Sequence, residues 1–554
     1  MLISTTSLLS VILLLTPLSS SSRWLVDSFI LPSYKVVQSP LPQCHQTAAQ
    51  HKTQHTTTTA CANSNNDNNN TWRSAIRTPT APTNTVGVIR DLCESTPCRK
   101  PNRSEGESGL AFLFVSQQYA DSFEEIVAVA YDSLVAEATT AGSTEEEEEE
   151  AKDFTLLSIV GGGVIGDGLE SDDPNAPAIS LLTGILPKSA QVEVFMFGND
   201  DDDDNEQQLP PPPPPSSTKW NEIGHQQDLP SYIVFADPFS KIQETLNGLY
   251  SSGNSRQEGS AVVAGGISCP ILSSGNDTPP LPTVAVNNKA YPRGTIVGIG
   301  LSGSVGLHVA VAQGCRPVGM TYEVTKADGN FIEELDGRPA LDVLGEFSEG
   351  LDEQDKQTIQ TYGIMVGLAT PGGKDVNVGD YLIRQILGFR APAVMVGAEV
   401  NVGDLLKFHV RDPAAALHDM QNMIGRYRTE RMFATNGGIP LAALQISCVA
   451  RGRSLFGSPN VDVGCVKGLF SQDVDNDDDE NKVPPAIGGF YANGEIGPTG
   501  IAGVGITPKA THMHGFTTVA CTIVDFSRDS LSSSSATGAV DASVTSQVDN
   551  DAWG

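Results

Sequence analysis

Apolar residues fall along this chain in short unbroken runs, separated by stretches in which they recur every third or fourth position. Leu110 to Ser116 reads as a buried strand. Phe123, Ile126, Val127, Ala130, Tyr131 and Leu134 then follow at helical spacing, and Phe154 to Val160 supplies a second strand ending in Gly161-Gly162-Gly163. The same order returns downstream. Ser231 to Ala236 is a strand, Asp237-Pro238 precedes the helical positions Phe239, Ile242, Leu246 and Leu249, and Ser260 to Ala264 runs into Gly265-Gly266. A third copy is expected from Leu405 to Arg411, Asp412-Pro413, a helix carrying Leu417, Met420 and Ile424, and Leu441 to Ser447, which leads into Cys448 and Gly452. Asp caps the free N–H groups of a helix and Pro needs no partner at its first position, so Asp237 and Asp412 are expected to be equivalent helix caps.

Strand, helix, strand and glycine three times over predict an α/β or α+β fold in two lobes with mixed sheets, since a crossover helix implies parallel neighbours. Ligand crevices in open sheets form at the carboxyl ends of such strands, where glycines let backbone come close.

Charge and composition divide the chain. Of its 554 residues, the first 107 hold nine Lys/Arg against six Asp/Glu, and the remainder holds 25 against 60. A net charge of -32 repels phosphate backbones, which argues against a nucleic-acid partner. Seventeen acids fall in three runs, Glu145 to Glu150, Asp200 to Asp204 and Asp473 to Glu480, and these read with Pro210 to Pro215 as solvated insertions. Residues 1–20 resemble a signal peptide with an apolar stretch too short to span a bilayer, so no membrane span is expected after its removal. Residues 21–107 read as a low-complexity leader like a bipartite plastid presequence, which favours a complex plastid over the extracellular space. Residues 528–554 read as a disordered tail.

Nine cysteines without a CxxC pair offer no zinc knuckle, and those of the body read as buried thiols. The glycine patterns at Gly161 to Gly166 and Gly298 to Gly303 are not expected to open helices, so neither suits a dinucleotide. His512 and His514 share a strand face and are weak metal candidates that need a third ligand. The constellation richest in chemistry is Cys448, Arg451 and Gly452 with Gly494, Glu495 and His514. An arginine clamps a carboxylate, a glutamate accepts from an ammonium, and the alternative is an internal Arg451–Glu495 ion pair. Gly265, Gly266 and Arg316 complete the expected ligand-binding set.

At these residues the sequence resembles the FIST family. The resemblance rests on Gly403 to Asp412, Cys448 through Arg451 to Gly457, Gly488 to Pro498, His514-Gly515-Phe516-Thr517, Ala312 to Gly319 and Leu335 to Pro339. It implies a FIST N-terminal domain over residues 108–320 and a FIST C-terminal domain over 321–527. The implied role is a stand-alone sensory module for a small ligand, an amino acid or similar carboxylate; no cofactor is expected and no catalytic residue is assigned, and whether the chain has a catalytic activity stays open. The alternatives it carries are a protein-interaction scaffold, whose partner is unknown, and a haem-based sensor. Gly162-Gly163 stand where relatives tend to place Cys-Thr.

Overall fold

The computed structural model describes residues 71–79, 85–96, 101, 106–136, 154–198, 231–251, 261–269, 281–370, 381–434, 437–470, 486–504 and 510–527. Within them, three sheets repeat one arrangement. Each is built on a parallel pair: Ser108–Ser116 beside Phe154–Gly161, Ser231–Ala236 beside Val262–Ile267, and Ile439–Cys448 beside Ile487–Ala492. The flanking strands on both sides run antiparallel. On one side lie Ile179–Leu186, Ile296–Gly303 and Thr517–Asp525 respectively. On the other lies a two-stranded ribbon: Val284–Val286 with Lys289–Tyr291, Gly494–Pro498 with Thr511–His514, and Val164–Gly166 with Leu169–Ser171.

The ribbons interlock the halves of the chain. The third sheet takes its ribbon from residues 164–171 and the second from residues 494–514, so neither sheet can be completed by one half alone. Each parallel pair is buried throughout or nearly so, which is why these strands read as continuous apolar runs rather than alternating ones. Where the sheets converge, Phe114, Phe235 and Phe490, one from each, meet with ring centroids 5.6 to 6.2 Å apart. Such aromatic contacts add about 0.5–1.5 kcal/mol each beyond the area they bury.

A fourth sheet forms a second, smaller lobe inserted between the Val305–Gln313 strand and the helix Pro413–Phe433. Its first strand, Cys315–Asp328, is 14 residues long. It pairs at its start with Leu405–Arg411 and at its end with Phe331–Leu335. Through Ile364–Ala369, Tyr381–Arg390 and Ala393–Val396 the sheet therefore closes on itself as an antiparallel barrel. Helix Ala340–Glu349 packs into it, with the Phe347 ring 4.5 Å from that of Phe408, so the barrel has its own core. The architecture is the expected α+β fold, with the mixed sheets confined to the three-sheet body and the second lobe an antiparallel barrel.

Three expectations are corrected. The third repeat is displaced: Leu405–Arg411 belongs to the barrel, and the third parallel pair is Ile439–Cys448 with Ile487–Ala492, joined through the short helices Arg453–Phe456 and Val461–Val466. Second, Asp412 caps its helix, accepting from the N–H groups of Ala414 and Ala415 at 3.0 Å, whereas Asp237 does not. The next helix begins at Ile242, and Asp237 ties a loop, accepting from Phe239 N, Gly294 N and Thr283 Oγ1. Third, the leader does not extend to residue 107. Arg73–Arg77 is the edge strand of the first sheet, Trp72 is 1% exposed, and the helix Thr85–Ser95 buries Ile89, Leu92 and Cys93. Residues 1–70 and 528–554, the three acidic runs and the proline run lie outside the described residues. Among those that are described, no helix is long and apolar enough to cross a membrane.

Candidate functional site

Cys448, Arg451, Gly452, Gly494, Glu495 and His514 are gathered where the second and third sheets meet. Gly452 adopts φ +55°, and a Cβ there would lie 2.5 Å from the Tyr491 hydroxyl, so only glycine fits. This tight turn carries Arg451 inward until it is 1% exposed. The expected Arg451–Glu495 pair is not formed. Arg451 Nε and Nη2 donate to the two carboxylate oxygens of Asp462 at 2.7 Å each, and Asp462 also accepts from Thr518 Oγ1 at 3.0 Å. Burial works against the charged guanidinium, and the Asp462 carboxylate more than offsets it, so the arginine stays firmly charged.

Glu495 turns instead to Thr517, accepting from its hydroxyl at 2.8 Å and its N–H at 3.2 Å. Complete burial pushes its carboxyl up to about 8, against these hydrogen bonds and that of the neighbouring Cys448 thiol. It is therefore largely neutral at pH 7. Burial raises the Cys448 thiol well above its usual value and the Cys269 thiol to about 12, which makes both unreactive. His514 bonds through Nε2 to Gly497 O at 3.0 Å and is held down to about 4 by burial. The His512 and His514 rings stand 6.3 Å apart, and among the described residues no three His, Cys, Asp or Glu side chains converge as metal ligands. Gly265 and Gly266 face protein: a Cβ on Gly266 would meet Ile446 and Phe490 at 2.8 Å, and one on Gly265 would strike the Val234 carbonyl. Gly494 likewise packs on Ile267.

The concave site lies on the other side of Gly314. A cavity of about 250 Å³ opens between the lobes, with Cys315, Pro317, Tyr381 and His409 from the barrel on one wall and His418, Asp419 and Asn422 from one face of the long helix on the other. Arg316 also lines it. Its Nε donates to Asp412 Oδ2 at 2.7 Å and its Nη2 pairs with Asp355, so two acids already share this cation. Gln313 lines the floor, 8% exposed, and its Nε2 donates to Tyr381 O at 3.2 Å. The Asp419 carboxyl accepts from Gln313 N at 2.6 Å, and burial raises its pKa while Gln313 N and Arg451 oppose the rise.

Directly opposite Cys315 in the barrel register stands Arg411, two residues beyond His409 on the same strand face. Its guanidinium lies over the rings of Tyr362 at 5.3 Å and Phe516 at 5.7 Å, and Nη2 donates to Ala450 O. Among the described residues no carboxylate pairs with it. Burial pulls it below its usual value.

Of the expected ligand residues, only Arg316 lies on this cavity; the others form the buried cluster behind it. Gln313, Arg411 and Asp419 were not singled out by sequence reasoning. Two of them stood in plain view: Gln313 is the polar end of the apolar run from Val305, and Arg411 precedes the helix cap Asp412.

Residues 109–338 match the FIST N domain and residues 340–498 the FIST C domain. An uncharacterized protein of Mycobacterium tuberculosis (strain CDC 1551 / Oshkosh) is 28% identical over 446 residues, 79% of this chain and 97% of that protein. An uncharacterized protein of Mycobacterium bovis is 37% identical over 238 residues, 42% of this chain and 53% of its own length. FIST domains are sensory domains of signal transduction. With both domains matched in order along a single chain whose sheets interlock them, the protein belongs to the FIST family.

Proposed function

We propose that this protein is a stand-alone sensory module whose ligand, an amino acid or a similar small carboxylate, occupies the cavity between the barrel and the three-sheet body. Arg411 supports this reading: it does not itself line the cavity, but it stands opposite the lining residue Cys315 in the barrel register. A half-buried guanidinium with no carboxylate beside it among the described residues bears a desolvation cost that an incoming carboxylate offsets through two parallel hydrogen bonds. Arg451 is unsuited to that task because Asp462 already takes its fork. A cavity near 250 Å³ lies below the roughly 300–1,000 Å³ of drug-sized sites, which suits a small metabolite. Its walls come from both lobes, so a ligand there contacts both.

A thermal-shift screen of the full chain against amino acids and small mono- and dicarboxylates tests this reading. A bound member at 100 times its dissociation constant stabilises the fold by about 2.7 kcal/mol. A flat response across the whole set contradicts it.

A further inference from the structure

Gln313 is the last residue of its strand before the chain passes into the barrel, and it lies buried against the cavity. The amide orientation is fixed. Nε2 donates to the Tyr381 carbonyl, and turning the amide over would set two acceptor oxygens face to face. The other atom, Oε1, is buried and has no hydrogen-bond partner among the described residues. Beside it, Asp419 lines the same cavity and receives Gln313's own backbone N–H. A buried acceptor without a donor is destabilising, and sites built to bond a polar group on a ligand reject analogues that lack it.

We propose that Gln313 is the specificity-determining residue of the cavity: its Oε1, with the Asp419 carboxylate, selects a ligand that carries an N–H or O–H donor and rejects a plain carboxylate. The inference rests on the reading of the cavity as the ligand site. It adds what Arg411 alone does not require, since a guanidinium accepts any carboxylate. Donor and carboxylate must sit on one small molecule, because the acceptor pair lies at Gln313 and Asp419 while Arg411, outside the lining, stands opposite the lining residue Cys315 in the barrel register.

Three probes of equal chain length separate the cases: propionate, lactate and alanine, titrated calorimetrically into the full chain. Lactate or alanine is expected to bind about tenfold or more tighter than propionate. In Gln313→Met that preference is expected to shrink severalfold while propionate binds as before, and Gln313→Leu, which also removes the acceptor, is expected to behave the same way. Melting curves identify a variant that does not fold, and the second variant then carries the comparison. Equal binding of all three probes by the wild-type chain overturns the assignment of Gln313 and leaves the carboxylate site standing, as does a preference undiminished in a folded Gln313→Met. Binding of none of the three overturns both.

Discussion

Arg451 and Asp462 form a bidentate ion pair at 2.7 Å with both side chains sealed from solvent, and it is this pair that fixes the turn between the third parallel strand and its crossover. Removing either partner strands a buried charge, at a cost of about 3–5 kcal/mol. Arg451→Ala and Asp462→Asn should therefore each lower the denaturation midpoint. Ligand affinity measured on the folded fraction should stay unchanged. A variant of wild-type stability that no longer binds would place Arg451 in the ligand site after all.

Trp72 packs against Gly184 of the neighbouring strand, and Arg73–Arg77 completes the first sheet. Trp72→Ala should cost about 3–5 kcal/mol, as for a large buried aromatic. Truncation of residues 1–107 should lower the melting temperature by several degrees, because it removes an edge strand and the helix bearing Ile89 and Leu92. Unchanged melting in the truncated chain would mean this segment does not dock in solution.

Glu495 gives the fold a pH dependence whose sign is fixed. Its carboxyl sits at about 8 in the folded chain, above its value unfolded, so the native state holds the extra proton and stability falls as pH rises toward 8. His514, held down to about 4, acts oppositely, but only below its ordinary value near 6.5. Between about pH 6.5 and 8, then, Glu495 dominates this pair, with a slope of at most about 1.4 kcal/mol per pH unit. Glu495→Gln should flatten the stability profile in that window. An identical slope in the variant would show that the carboxyl is already ionised there.

The first two repeats were legible because their strands are buried on both faces and their helices carry apolar positions at regular spacing. The third was misplaced for a physical reason. Asp412-Pro413 opens a genuine capped helix after a genuine strand, but that helix returns the chain from the barrel to the body, while the true third crossover has helices of four and six residues that are too short to show periodicity. Barrel closure was hidden as well, since it depends on one long strand pairing at both ends. Trp72 lay unnoticed beside polar low-complexity sequence. At the site, residue types alone brought Arg451 and Glu495 together, and nothing in their spacing disclosed that Asp462 and Thr517 would take their hydrogen bonds. Arg411 drew no attention because a guanidinium left without a carboxylate is visible only once its neighbours are placed.

On the proposed function, Arg411 receives the ligand's carboxylate. The most direct measurement is calorimetric titration of alanine into the full chain and into Arg411→Gln, with the two melting curves recorded alongside. The variant should fold and its affinity should fall by about 2–5 kcal/mol, the cost of leaving a desolvated charge unpaired. A folded Arg411→Gln that binds alanine as tightly as the wild-type chain would contradict it.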